Sequence, residues 1–218
     1  SLGQQRVRTH RTRRRGPCAC HPSGSQGLTS RRRRVGQRRR ARTDDDRAWA
    51  EGVADGVNGV QKFDGQADWS STLMTYHPRG GSTSSTWFHD APWLDFNGAQ
   101  IGWKGAKLLK TLDADYARKP PKPVVNIEPW YERCTWKTPP VDDWDVRLQA
   151  YQSAFAGVCG HTYGHYEIWP LDSPGLEYGK RWREALTAPG RMQMRYLRKL
   201  IQSQPQTGRV PLPKFFLR

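Results

Sequence analysis

The sequence predicts an α/β protein built on a parallel sheet or barrel, and three observations lead there. Short β-branched and aromatic runs alternate with longer stretches whose apolar residues recur every three to four positions, the signature of strand–helix repeats. The strand-like runs end in polar and aromatic residues. Val124-Val125 continues into Asn126-Ile127-Glu128 before Pro129 stops it. A carboxylate therefore sits at the C-terminal end of a predicted strand, the end from which barrels of alternating strands and helices project catalytic side chains. Alone, Glu128 reads equally well as a strand-end salt-bridge partner.

Charge divides the 218 residues unevenly. The chain carries 36 Lys and Arg against 20 Asp and Glu, a net of +16. Residues 1–42 hold 14 of the basic residues and no acid, so the rest is nearly neutral at 22 against 20. The arm has few aliphatics and no Phe, Tyr or Trp, and is expected to be disordered. Its runs Arg31–Arg34 and Arg38–Arg40 leave three readings open: GC-rich DNA read in a wrong frame, a solvated tail, or a nucleic-acid or nuclear-import patch. The absence of Lys and of stacking aromatics weakens the last, and nucleic acid is not the expected partner.

The elements follow in order. Thr43 caps a helix whose first turn, Asp44-Asp45-Asp46, suits the positive end of the helix dipole. Trp49, Val53 and Val57 mark its expected core face, and Asn58-Gly59 stops it. Thr72–His77 reads as a strand, Arg79–Thr86 as a long Gly/Ser/Thr loop, and Trp93–Asn97 as a second strand. Gly105–Ala117 is a helix with Leu108, Leu109, Leu112 and Tyr116 at helical spacing. Pro120, Pro121 and Pro123 keep the chain out of a helix before the strand at 122–128. Asp143–Val158 is a helix with Trp144, Leu148, Tyr151, Phe155 and Val158 on one face. His161–Trp169 is a fourth strand. Pro189 opens a last helix that turns Met192, Tyr196, Leu197, Leu200 and Ile201 to the core. A (β/α)8 barrel needs eight strands and roughly 250 residues. Half a barrel would leave open edges and expose inner-face residues such as Val124 and Phe96.

Several classes are set aside. Cys18, Cys20, Cys134 and Cys159 have no zinc spacing, and Cys159 is expected to be a buried thiol. There is no phosphate-binding loop, H-E-x-x-H or G-x-S-x-G pattern. No cofactor or metal is expected. No run is long and apolar enough to span a membrane, and no signal peptide is visible. The strand ends instead bring together Asn, His, carboxylates and rings. Rings suit the C–H faces of a sugar, whose hydroxyls need hydrogen bonds. Glycoside cleavage needs two carboxyls, for which Glu128 is the best candidate and the acids at 95, 132, 167 and 172 are weaker ones.

Five consecutive stretches carry a resemblance: L-M-T-Y-H-P-R-G-G-S-T-S-S-T-W-F-H (73–89), W-L-D-F-N-G-A-Q (93–100), K-P-V-V-N-I-E-P-W-Y-E (122–132), the segment 146–169 ending H-T-Y-G-H-Y-E-I-W, and P-G-R-M-Q-M-R-Y-L-R-K-L-I (189–201). From about Thr43 to Pro211 the chain resembles the apiosidase-like catalytic domain of glycoside hydrolases. The resemblance implies part of a TIM barrel, about strands five to eight. It implies hydrolysis of glycosidic bonds in plant-type polysaccharide side chains by a retaining two-carboxylate mechanism, a carbohydrate partner, and an extracellular or periplasmic setting. Glu128 falls on the glutamate of the family's G-E-P-x-Y-E motif, with Ile127 where the family has a small residue and Trp130 and Tyr131 following. His77, Trp87, His89, Asn97, Gln100, Tyr163, His165 and Trp169 fall on pocket-lining positions. The family's second carboxylate is an aspartate in a G-G-D motif, and none precedes Thr43. The isolated chain is therefore expected to be inactive. Leu212–Arg218 does not continue the family pattern, nor does a β-sandwich domain follow. The rival functions are a basic nucleic-acid binder and a non-catalytic carbohydrate-binding remnant.

Overall fold

A computed structural model describes residues 46–60, 64–102, 107–171, 173–174, 176, 178–205 and 208–211. The basic arm, Thr43 with Asp44 and Asp45, Asp172 and the tail 212–218 lie outside the described residues.

Helix α1 is seen at residues 46–57. It packs through the opposite face to the one expected. Ala50 and Ala54 are buried against Met74 and Leu94, and Glu51 accepts a hydrogen bond from Gly65 N at 2.5 Å. Trp49, Val53 and Val57 are 76%, 52% and 59% exposed. Two alanines let the helix backbone approach its neighbours closely, which the bulkier stripe would prevent.

The expected strand 72–77 forms no ladder. Its place beside the sheet is held by a backbone bond, Asp95 N to Met74 O at 2.9 Å. Met74 N donates to Asp95 Oδ2 at 2.6 Å, and Thr75 Oγ1 donates to Phe96 O at 2.7 Å. The Gly/Ser/Thr stretch, expected as a loop, contains strand β1 (Ser82–Thr83) and helix α2 (Ser85–Phe88). Its hydroxyls explain the order. Ser84 Oγ accepts from Gly98 N at 2.9 Å. Thr83 at 3.3 Å and Ser85 donate to the buried carboxylate of Asp115, which would otherwise be costly to bury.

The second strand, β2, is Asn97–Gln100 and not 93–97; Trp93 and Leu94 are buried ahead of it with Phe88. Helix α3 (Lys107–Tyr116) leads to β3 (Val124–Asn126), followed by β4 (Tyr131–Glu132) and helix α4 (Asp143–Phe155). The expected fourth strand is two short ones, β5 (Gly160–His161) and β6 (Gly164–His165). Helices α5 (Trp182–Ala185) and α6 (Pro189–Gln202) complete the described elements. The main sheet runs β1-β2-β3-β5, with β2, β3 and β5 parallel and β1 antiparallel to β2. β4 and β6 form a separate parallel ribbon. The α/β class with parallel strands therefore holds.

Val124 corrects the expectation of an exposed inner face. It is buried with Ala99, Ile101, Leu108, Leu112 and Val158, because its side chain turns to the helix layer. Phe96 is half-buried. Helix α4 starts with a capping box in which Asp142 and Asp145 satisfy each other's backbone N–H. It buries Val146, Gln149, Ala150, Ser153 and Ala154, while Trp144, Leu148 and Phe155 are exposed. Helix α6 meets α4 through Leu197; Met192, Tyr196 and Leu200 lie outside. On α4 it is Ala150 and Ala154 that take this contact, not its largest apolar side chains. Of the two described cysteines, Cys134 is the buried one. Cys159, expected inside, is exposed, its thiol donating to Val124 O at 3.3 Å.

Strand β5 carries a sensitive group. His161 is paired with Asn126, so both side chains leave the same face of the sheet, and that of Asn126 meets Ser153 of α4. The buried His161 Nδ1 has no hydrogen-bond partner among the described residues. Burial lowers the imidazole from 6.5 to about 4. Between these values the unfolded chain takes up a proton that the folded one refuses, so stability falls as pH drops through this window, by at most about 1.4 kcal/mol per pH unit from this group. Urea midpoints of the unmodified chain should therefore drop between pH 7 and pH 5 more than those of His161→Gln; equal drops would contradict this assignment.

Candidate active site

The end of β3 is bent and fixed by the backbone. Ile127 N and Glu128 N both donate to Ala99 O, at 2.9 and 3.2 Å, and Gly102 N donates to Glu128 O at 3.3 Å. Two glycines make room. A Cβ on Gly98 would stand 2.6 Å from Ile127 Cδ1 and 3.0 Å from Tyr76 O, and one on Gly102 would stand 2.6 Å from the Pro129 carbonyl carbon. The bulky Ile127 is thus accommodated across the sheet by Gly98.

A buried glutamine then ties the loops together. Gln149 of α4 accepts from Trp130 N at 2.7 Å and donates to Gly102 O at 3.1 Å. One side-chain amide bridges the loop after β2 and the loop after β3, on either side of Glu128. Sequence reasoning missed it. The available signal was a Gln inside the helical pattern of α4, where an uncharged amide is buried only when both its ends are bonded.

Glu128 projects from this platform with 23% of its side chain exposed. His77 Nε2, on a side chain 57% exposed, lies 2.8 Å from Glu128 Oε2. The other candidate acids among the described residues have structural partners. Asp95 holds Met74. Glu132, buried, accepts from Tyr163 Oη at 2.5 Å. Glu167 accepts from Gly179 N at 2.6 Å and faces Arg181 at 3.8 Å. Glu128 is the acid that combines partial exposure with a position at the strand ends.

The remaining expected residues are distributed unequally. Gln100 ends β2 and joins β1 through its carbonyl, which accepts from Gly81 N at 2.6 Å. Trp130 is half-buried, with Lys137 Nζ 5.2 Å above its ring, and its indole N–H is buried without a hydrogen-bond partner among the described residues. The Tyr131 ring covers Gly164, where a Cβ would come within 2.2 Å. Along the same ribbon, burial first and Glu132 second push the Tyr163 phenol far above its usual range. His165 Nδ1 accepts from Glu167 N at 3.0 Å, and burial lowers its imidazole. Trp169 is partly exposed, its ring 5.6 Å from that of Tyr178. A cleft of about 170 Å³ lies against Glu132, Arg133, His165 and Glu167. Trp87 packs edge-on against Tyr76, with ring centroids 6.3 Å apart. His89 and Asn97 are placed apart from Glu128. Their side chains pair at 3.2–3.3 Å and His89 Nε2 lies 2.9 Å from Pro120 O. Both are buried at the N-terminal ends of β2 and β3, the end where α/β barrels keep stability residues. Among the described residues, no group of three or more His, Cys, Asp or Glu is placed to hold a metal ion.

The site is thus a partly exposed carboxylate beside a histidine, past the C-terminal end of a parallel strand, and comparison with known proteins places the chain in a family. The family model of the apiosidase-like catalytic domain matches residues 33–207. The chain belongs to this family. Among solved structures, it is similar to a protein described as a glycoside hydrolase, at 39% identity, 61% of this chain, 36% of that chain and a TM-score of 0.53. It is also similar to a glycoside hydrolase family 5 crystal structure from Bacteroides vulgatus ATCC 8482, at 35% identity, 68% of this chain, 36% of that one and a TM-score of 0.56. The apiosidase-like chain thus spans little more than a third of each. Comparison with curated proteins gives no match.

The Gln149 bridge is testable. Gln149→Leu leaves Trp130 N and Gly102 O without their partner, which should cost about 2–3 kcal/mol in urea unfolding. Gly102→Ala should cost about 1–3 kcal/mol by overpacking against the Pro129–Trp130 backbone. Changes below about 0.5 kcal/mol would show that the loops are held independently.

Proposed function

We propose that this chain is the carboxylate-bearing portion of a glycoside hydrolase acting on plant-type polysaccharide side chains, with Glu128 as one of two catalytic carboxyls. The observation that carries the reading is the placement of Glu128: at the end of a parallel strand, partly open, 2.8 Å from His77, with the Trp130 ring two residues on. In a retaining mechanism two carboxyls stand about 5–5.5 Å apart, one attacking the anomeric carbon and the other protonating the leaving oxygen. The hydrogen bond between His77 Nε2 and Glu128 Oε2 leaves Oε1 to face a substrate. Trp130 offers a face for sugar C–H groups. Among the described residues, Asp95, Glu132 and Glu167 are each engaged in structural bonds, which fits the reading that the second carboxyl is none of these three. On this reading the chain supplies about the fifth to the eighth strand positions of a barrel, and the sugar lies across the C-terminal ends of its parallel strands.

The experiment mixes the chain with a branched pectic oligosaccharide and follows tryptophan fluorescence and reducing-sugar release. The expected result is saturable quenching, weakened about tenfold by Trp130→Ala, with no release. Release abolished by Glu128→Gln would refute the inactivity but keep the role of Glu128. Neither quenching nor release would sink the carbohydrate reading.

A further inference from the structure

The β4–β6 ribbon carries a polar cleft that the Glu128–His77 pair does not line. Glu132 and His165 are register partners across the ribbon, so their side chains leave the same face. Both are buried, at 4% and 2% exposure, and both line the cleft of about 170 Å³ with Arg133, Glu167, Arg181 and Glu184. The imidazole is fixed at one end. Its Nδ1 accepts from Glu167 N at 3.0 Å, so the proton of the neutral ring sits on Nε2. That N–H is buried and has no hydrogen-bond partner among the described residues. An unmatched buried donor is costly, and a cleft that presents one favours a ligand oxygen.

Arg133 is a second sign of a built site. Its φ is 62°, in the left-handed region that residues other than glycine rarely adopt, and such backbone persists where the surroundings hold it. The bonds from Arg133 N to Val141 O at 2.7 Å and from Cys134 N to Tyr131 O at 3.0 Å hold it here. The charges around the cleft select its occupant. An anion would face the carboxyl groups of Glu132, Glu167 and Glu184. A cation would face two guanidinium groups and an N–H. An apolar molecule would leave Nε2–H unmatched. A hydroxyl both accepts and donates, so a neutral polyhydroxy molecule meets these donors and acceptors in turn. The volume is roughly ten times what one water needs, which suits a molecule on the scale of one sugar ring. A wider cleft of about 770 Å³ adjoins it, sharing Glu132, Arg133, Glu167 and Arg181 and adding Tyr166 and Tyr178, whose rings stack at 4.6 Å.

We propose that the smaller cleft is a subsite for one neutral sugar unit of the substrate, held through its hydroxyls by His165 Nε2–H, Arg133 and the Glu132 carboxyl. The inference rests on the carbohydrate reading and adds to it a second contact point, apart from Glu128, that prefers uncharged units. The next unit of the sugar chain lies in the wider cleft beside Tyr178.

The test uses the full 218-residue chain with isotope-labelled histidine side chains, titrated with a neutral pectic side-chain oligosaccharide and with an oligogalacturonide of the same length. The expected result is a saturating shift of the His165 Nε2 signal with the neutral sugar, and binding of the acidic one at that signal weaker by about tenfold or more. His165→Phe should weaken binding of the neutral sugar about tenfold. Arg133→Gly should weaken it about fivefold while the urea midpoint does not fall, because glycine accepts the left-handed backbone. That pairing separates a lost contact from a lost fold. Saturating shifts at His77 with none at His165, unchanged affinity in Arg133→Gly, or tighter binding of the oligogalacturonide at His165 would overturn the subsite and leave the role of Glu128 standing. No saturation with either sugar would sink the subsite together with the carbohydrate reading.

Discussion

The side-chain amide of Gln149 joins the loops after β2 and β3, which also meet at Gly102, whose N–H donates to Glu128 O. It reaches Gly102 O with its nitrogen and Trp130 N with its oxygen, and Glu128 lies between those attachments. Because Gln149 is buried on α4, the helix layer and the strand ends are set relative to each other by one rigid group. The backbone bonds to Ala99 O, the close approach at Gly102 and the Gln149 bridge together hold the backbone around Glu128. The role proposed for Glu128 needs this kind of support, since misplacement by an ångström costs orders of magnitude in rate.

The fold class and the strand carrying Glu128 were legible in the sequence because proline and β-branched residues leave few alternatives there. Helix positions were legible too, but their buried faces were not. On α1, α4 and α6 the largest apolar residues suggested the inner stripe, yet Ala50, Ala54, Ala150 and Ser153 lie inside and Trp49, Trp144 and Tyr196 outside. Close packing of a helix selects small residues at the contact, and hydrophobicity counts do not register that. The order in the Ser/Thr stretch 82–86 was hidden for a related reason. It depends on Asp115, some thirty residues away, whose buried carboxylate needs those hydroxyls.

At the site, the sequence marked residues by type and motif, while the structure sorts them by depth and by end of the strand. His77 and Glu128 are brought together across 51 positions of sequence. His89 and Asn97, alike in type, are buried at the far end and hold the entry to β3. Tyr163 and His165 belong to the β4–β6 ribbon with Glu132, a polar layer in which burial raises the phenol and lowers the imidazole. Membership of the apiosidase-like family explains why these residue types recur. The solved relatives are nearly three times as long as the part they share with this chain, so the activity of the whole is built from more than these strands.

The most direct test of the central claim is a titration of the isotope-labelled chain with a branched pectic oligosaccharide, read by residue-resolved chemical shifts. The account predicts saturating changes at Glu128, His77 and Trp130 and none at His89 or Asn97. Changes confined to His89 and Asn97, or no change anywhere, would contradict it.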